Sequence, residues 1–501
     1  MTSATPSPPP GAAGPAARPG AVLAFLCLGQ FMVFLDVSIV NLALPSIREA
    51  LDMSDVSQEY IVTAYATVLG GFLLLGGRLG DRFGRRRLLR AGFAVFALAS
   101  LAAGLAVDGS MLIAARAAQG LGSALIAPSA LSLLTSTFPE GPQRNKALGV
   151  WGSLAGIASI AGVILGGLLA DGPGWEWIFY LNVPVGVAAA LTAPRIVPES
   201  RGAAQERHRP FDIFGALTLT SGLLLLIFTL GEATRAGWAT GRTLGGLAGA
   251  AALLAAFVAI ESRAAAPIMP LGFVRKKTIR TANIAAVLVF GTFSALFFFA
   301  SIFMQQVYGY SPLTAGFAYL PLAVAVAAGA AVASGLLAKL AARTVLMTGL
   351  ALAVTGLLLM RRAPAGGSYA ADLLTPFVLL GLGCGMVYVT LQIAAFAGVN
   401  EAEAGVGAGL INTSQEAGGA LGLAVITTIA FSGLSDDLAA AAGDPRAVVA
   451  AQEAANHDAF LAAAVGGLAA LVITAVLMPR GRRATAPHTT ETPGRSHEPA
   501  P

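Results

Sequence analysis

Two ionisable residues stand where a chain could use them to move protons. Asp36 lies within Leu35-Asp36-Val37-Ser38-Ile39-Val40-Asn41-Leu42-Ala43-Leu44-Pro45, an otherwise apolar stretch. An acid surrounded by hydrocarbon is costly and persists where it faces a cavity or a partner. There it can exchange protons; the plainer alternative is a shallow acid that caps or pairs. Arg116 opens Arg116-Ala117-Ala118-Gln119-Gly120-Leu121-Gly122-Ser123-Ala124, with Pro128 beyond. It can snorkel to the nearby break at Asp108-Gly109. Otherwise it is a fixed positive charge that times proton release from a neighbouring acid. Glu416 is a second acid in an apolar run, with a cavity role and a structural pairing equally open. Gln305, Gln306, Gln392, Asn412 and Gln415 are candidates to line a polar cavity or to satisfy neighbouring helices. Glu59 follows Asp55, Ser57 and Gln58 and fits the first turn of a helix, where negative charge suits the dipole.

A second group of residues suits a conformational device. The stretch Gly77-Arg78-Leu79-Gly80-Asp81-Arg82-Phe83-Gly84-Arg85-Arg86-Arg87 places an acid among arginines and between glycines. Glycines permit a tight turn and close helix contact. Charge-assisted bonds from Asp81 would hold helix ends together and release them. A simple basic anchor explains the arginines but neither the glycines nor the acid. A weaker copy runs from Gly335 to Arg343, with Lys339 in place of the acid and Ala342 in place of a glycine, so a second charge lock is not expected there. Gly152, Gly156, Gly162, Gly166 and Gly167 fall in one apolar run, and pairs four apart let helices approach closely.

These residues need a membrane around them, and the composition supplies the reason. Of 501 residues 56% are hydrophobic and 11% charged, against about 25% charged in soluble proteins. Apolar runs long enough to cross a bilayer recur at about 21–47, 57–77, 88–107, 110–135, 145–170, 177–197, 213–231, 243–261, 280–304, 312–336, 343–361, 371–391, 404–430 and 458–479. Helices are expected, because lipid offers no partner to free backbone groups. The even-numbered breaks are basic and the odd-numbered ones poor in base or acidic, apart from Arg361 and Arg362. Positive charge marks the cytoplasmic side, so both termini are expected inside. The longest breaks divide the chain into 21–197, a central 198–279 holding two spans, and 280–479, between disordered tails at 1–20 and 480–501. Cys27 and Cys384 read as small core residues, the histidines form no metal cluster, and nothing suggests nucleic acid. No phosphate-binding G-x-x-x-x-G-K-[ST] loop occurs, so no nucleotide cofactor is expected.

Five of these stretches, in order, resemble motifs of the major facilitator superfamily and its fourteen-span drug:proton antiporter family. They are the Asp36 string, the Gly77–Arg87 loop, the Arg116 segment, the glycines of the fifth span (with Val163 where proline is usual), and Trp175-Glu176-Trp177-Ile178-Phe179-Tyr180-Leu181-Asn182-Val183-Pro184-Val185-Gly186. Gly309–Gly316 and Ala404–Thr413 agree. The resemblance implies an all-α fold with 14 transmembrane helices, in two six-helix halves plus two central spans. It implies a transporter, not an enzyme, that exports small amphipathic organic compounds from the cell against protons, with a gradient and no cofactor as its energy source. Asp36, Arg116, Gln119 and Glu416 would serve proton coupling or substrate. Gly77, Arg78, Gly80, Asp81, Arg82, Gly84, Arg85 and Arg86 would form the conformational loop, and the five glycines the antiporter helix. The competing readings are an importer of the same fold and a polytopic membrane enzyme; the fifth-span glycines disfavour the first and the lack of an acid or histidine constellation the second.

Overall fold

The computed structural model describes residues 18–170, 172–200, 212–264, 267–269, 271–396, 399, 403–441 and 444–479. Among them every regular element is helical. The α-helices are α1 (Pro19–Ala50), α2 (Asp55–Phe83), α3 (Arg85–Gly104), α4 (Gly109–Thr137), α5 (Pro142–Ala170), α6 (Trp177–Tyr180), α7 (Asn182–Ile196), α8 (Ile213–Ala236) and α9 (Gly241–Glu261). They continue with α10 (Leu271–Arg275), α11 (Lys277–Ile302), α12 (Pro312–Ala318), α13 (Leu320–Leu336), α14 (Ala342–Met360), α15 (Leu374–Ala395), α16 (Ala404–Phe431), α17 (Leu434–Ala440) and α18 (Pro445–Leu477). One π-helical turn extends α11 over Phe303–Val307, and another opens α15 at Tyr369–Leu373.

Local chemistry sets the helix ends. Ser54, Asp108 and Asp212 accept the backbone N–H groups of Ser57, Met111 and Gly215, the N-cap arrangement. Proline begins α1, α12 and α18, where its missing N–H is not needed. Gly84, at φ 110°, lets the chain turn from α2 into α3 within one residue. Two expectations shift slightly. The helix begins at Pro19, inside the tail expected over 1–20, because proline suits a first helical position. The early start of α2 leaves Glu59 just past the first turn. The expected tail at 480–501 and the basic residues Arg201, Arg207 and Arg209 lie outside the described residues.

Thirteen helical stretches among the described residues are long and apolar enough to cross a bilayer. The protein is therefore a multi-pass membrane protein. α5, 29 residues long at the place of the fifth expected span, is not among the thirteen. Helices α1 to α4 and α7 pack chiefly with one another and with α5, as do α11, α13, α14, α15 and α18 with one another and with α16, whereas α5 and α16 divide their packing between the two groups. The two groups meet where α2 lies on α16 and α5 on α13, while α8 pairs with α9 and leans on α2 and α16. Of the aromatics expected at an interfacial belt, Trp177 is exposed, whereas Trp175 and Phe179 are buried in a cluster with Ile39, Ala43 and Leu112.

Candidate functional site

Asp36 is fully buried, in the middle of α1. Arg116, some 10 Å into α4 at 1.5 Å per residue, forms an ion pair with it and is itself 1% exposed. Arg116 therefore does not snorkel. Its Nη1 also donates to Gln119 Oε1 (2.9 Å) and its Nε to the Ile61 carbonyl (3.2 Å). The guanidinium carbon stands 4.3 Å from the centre of the Tyr65 ring, and the Tyr65 hydroxyl pairs with Ser123 Oγ at 2.8 Å. Gln119 Nε2 donates to Asp36 Oδ1 (3.2 Å) and to Ser100 Oγ (2.7 Å). Asn182, the first residue of α7, adds a donor to Asp36 Oδ1 at 3.1 Å. One carboxylate thus gathers donors from α4 and α7, with support from α2 and α3. Full satisfaction of this kind is what makes a buried charge pair tolerable.

The structure brings together Asp36, Arg116 and Gln119 as the sequence led one to expect, and adds Asn182, Ser100 and Tyr65. Glu416 stands apart. It is partly buried on α16, beside Gly70 of α2, and has no hydrogen bond or ion pair to another described residue. Among the cavity candidates Gln392 and Gln415 are buried, and Gln305 donates to Ser301 Oγ at 2.8 Å.

The glycine–arginine loop makes a second network. Asp81 is 2% exposed and accepts from Arg85 Nε and Nη2 at 3.0 and 2.8 Å. It also accepts the backbone N–H groups of Gly405 and Val406, both at 3.1 Å. A carboxylate on the first N–H groups of α16 complements the positive end of that helix dipole. The acid therefore reaches across to the other helix group, 324 positions away, besides holding α2 to α3. Gly77 and Gly409 make this contact possible: a Cβ on either would run into the opposing backbone. Arg85 also binds Ser200, through its own N–H to the carbonyl (3.0 Å) and through Nη1 to Oγ (2.9 Å). Glu199 takes the Arg86 N–H at 3.1 Å and lies 3.5 Å from Arg86 Nε. Arg78, Gly80 and Arg82 complete the last turns of α2. The weaker copy makes no such lock. Among the described residues no other helix comes within 4 Å of where a Gly335 Cβ would stand, and Arg343 donates to the Ala475 carbonyl at the end of α18.

The glycines of α5 divide among three neighbours. A Cβ on Gly152 would come within 2.6 Å of Val389 in α15, and one on Gly156 within 2.8 Å of the Ala323 carbonyl in α13. One on Gly162 would meet the Ile39 N–H at 3.1 Å, in α1. Gly166 is buried, and Gly167 continues the helix.

The comparisons with known proteins follow the same lines. The family model described as Major Facilitator Superfamily matches residues 26–423. The cephamycin export protein CmcT of Amycolatopsis lactamdurans is 36% identical over 469 residues, which cover 93% of this chain and 93% of that one. The puromycin resistance protein pur8 of Streptomyces alboniger is 36% identical over 471 residues, 93% of this chain and 91% of its own. Among solved structures, the human organic anion transporter MFSD10 (TETRAN) matches with a TM-score of 0.63 at 14% identity, over 92% of this chain and 100% of that chain. At that identity the likeness speaks for the fold alone. With a family match across most of its length and relatives of this identity and coverage, the chain belongs to the Major Facilitator Superfamily and is a membrane transporter, not an enzyme.

Proposed function

We propose that this protein exports small amphipathic organic compounds, of the drug or antibiotic class, across the cell membrane in exchange for protons. The observation that carries the reading is the buried Asp36–Arg116 pair, a carboxylate held deep in the span region by donors from several helices. Protonating Asp36 removes the negative half of the pair. Arg116 is left to Gln119 and the Ile61 carbonyl, and Asn182 loses its charged acceptor. Each proton taken up therefore loosens the join between α1, α4 and α7. That is a local change able to bias a two-state bundle. The names of the relatives, one for cephamycin export and one for puromycin resistance, support the direction and the class of cargo.

In this reading the halves are 21–197 and 280–479, and 198–279 carries the central pair. The bundle crosses the lipid bilayer fourteen times with both termini in the cytoplasm. The Asp81 contact lies on the cytoplasmic side and closes it, so the cargo would leave on the far side. Glu416, where α16 lies beside Gly70 of α2, is a second site for a proton or a cationic group. The glycines of α5 provide a dry contact along which α13 and α15 slide. The test is proton release on cargo addition. In everted membrane vesicles holding an imposed pH gradient, puromycin should dissipate that gradient when the protein is present. A gradient unaffected by puromycin and by a panel of other amphipathic drugs would contradict the exchange.

A further inference from the structure

The charge networks leave α8 and α9 without a task, yet α8 follows the seam between α2 and α16 along its length. At the end where Asp81 lies, Leu219 and Leu223 of α8 share a buried cluster with Leu74 of α2 and Val406 of α16. Midway, Leu224 and Ile227 press into Gly71 and Gly70 so closely that a Cβ on either glycine would overlap them. At the opposite end, the turn from α8 to α9 carries Trp238, whose indole N–H donates to Thr428 Oγ1 of α16. The Thr428 hydroxyl in turn donates a hydrogen bond to the Ala424 carbonyl at 2.8 Å, so it is used both as donor and acceptor.

The turn that presents Trp238 is rigidly made. Gly237 has φ 87°, Thr240 caps α9 by accepting the Thr243 N–H, and Thr243 Oγ1 donates back to the Gly237 carbonyl at 2.8 Å. Glu232 and Arg242 face each other at 3.7 Å across the hairpin. The two sides of α8 differ in kind. On α2 it is keyed into glycine hollows; on α16 it has, among the described residues, the shared cluster at one end and the Trp238 hydrogen bond at the other. From Val406 to Thr428 is roughly 33 Å along α16. The Asp81 and Trp238 contacts thus bind the same helix at opposite ends.

We propose that α8 and α9 travel with α2, and that the Trp238–Thr428 hydrogen bond is a latch that must break when the far side opens, the counterpart of the Asp81 lock. The proposal rests on alternating access by the two helix groups and is independent of which compound is carried or what drives it. Spin labels at the exposed positions Glu49 and Arg362, at the far ends of α1 and α14, report the opening in the full-length protein in lipid nanodiscs, without cargo or gradient. Trp238→Phe keeps an aromatic ring and removes the N–H; Thr428→Val keeps the shape and removes the hydroxyl. Each should raise the long-distance population about two- to tenfold, the effect of one net hydrogen bond. The double variant should do no more than the larger single one, and Asp81→Asn should shift the population the other way. Unchanged distances in both single variants, or additive effects in the double, would overturn the latch. Because neither cargo nor protons enter the measurement, the export reading and the latch can fail separately.

Discussion

Asp36 and Arg116 are each ordinary in water and expensive alone in a bundle, so each depends on the other. Removing one partner of a buried pair typically costs about 3–5 kcal/mol. Arg116→Ala and Asp36→Asn should therefore each lower thermal stability in detergent clearly, the second because it leaves the Arg116 guanidinium, which cannot give up its proton, buried without a counter-charge. Unchanged stability in either variant would mean that the ion pair is not what holds the site. Arg116→Lys keeps the charge but cannot serve the Ile61 carbonyl, Gln119 and Asp36 together; its gradient-driven transport should fall at least tenfold at similar protein levels. Asp36 and Arg116 were legible because a charge in an apolar run has few explanations. Asn182, Ser100 and Tyr65 were not. Neutral polar residues are common in helices, and nothing in a sequence pairs position 36 with position 182, which lie 146 apart.

At the scale of elements, the lock joins the end of α2 to the start of α16. The glycine and acid spacing announced a lock, but only the fold shows what Asp81 grips on α16, since its partners there are backbone N–H groups that carry no sequence signal. Hydrogen bonds to a charged group contribute roughly 1.5–3 kcal/mol each. Asp81→Asn should thus open the lock end more often. A cysteine at Ser136, on the wall of a small cavity with Thr135, Arg144, Phe396 and Val399, should be modified by a maleimide about tenfold faster or more. An unchanged rate would remove the lock from the account. The glycines of α5 make a similar point. Their spacing told of close packing, while the structure divides them, with Gly152 and Gly156 against α13 and α15 and Gly162 against α1. Gly156→Val should push α13 away, at about 1–3 kcal/mol of overpacking, and slow transport while the protein still inserts. Normal transport by that variant would deny α5 a role in the movement.

For the whole molecule, the run of apolar segments made the helical membrane fold readable, because hydrocarbon leaves a chain few ways to satisfy its backbone. Loop charge gave the orientation proposed here. Where the central pair docks was not readable, since α8 and α9 are apolar on nearly every side and such helices suit many neighbours. The proposed topology puts the turn at 237–240 outside the cell. With Cys27 and Cys384 both buried, a Thr240→Cys variant should react with an impermeant maleimide added to intact cells. Reaction only after permeabilisation would reverse that segment and undo the fourteen-span count. The central claim is that Asp36 couples cargo movement to protons. Its most direct test is puromycin transport in proteoliposomes, wild type beside Asp36→Asn, with and without an imposed pH gradient. The account predicts that the wild type moves puromycin against its gradient when protons flow the other way. It predicts that Asp36→Asn loses that uphill movement yet still exchanges puromycin for puromycin. Uphill transport by Asp36→Asn at the wild-type rate would contradict it.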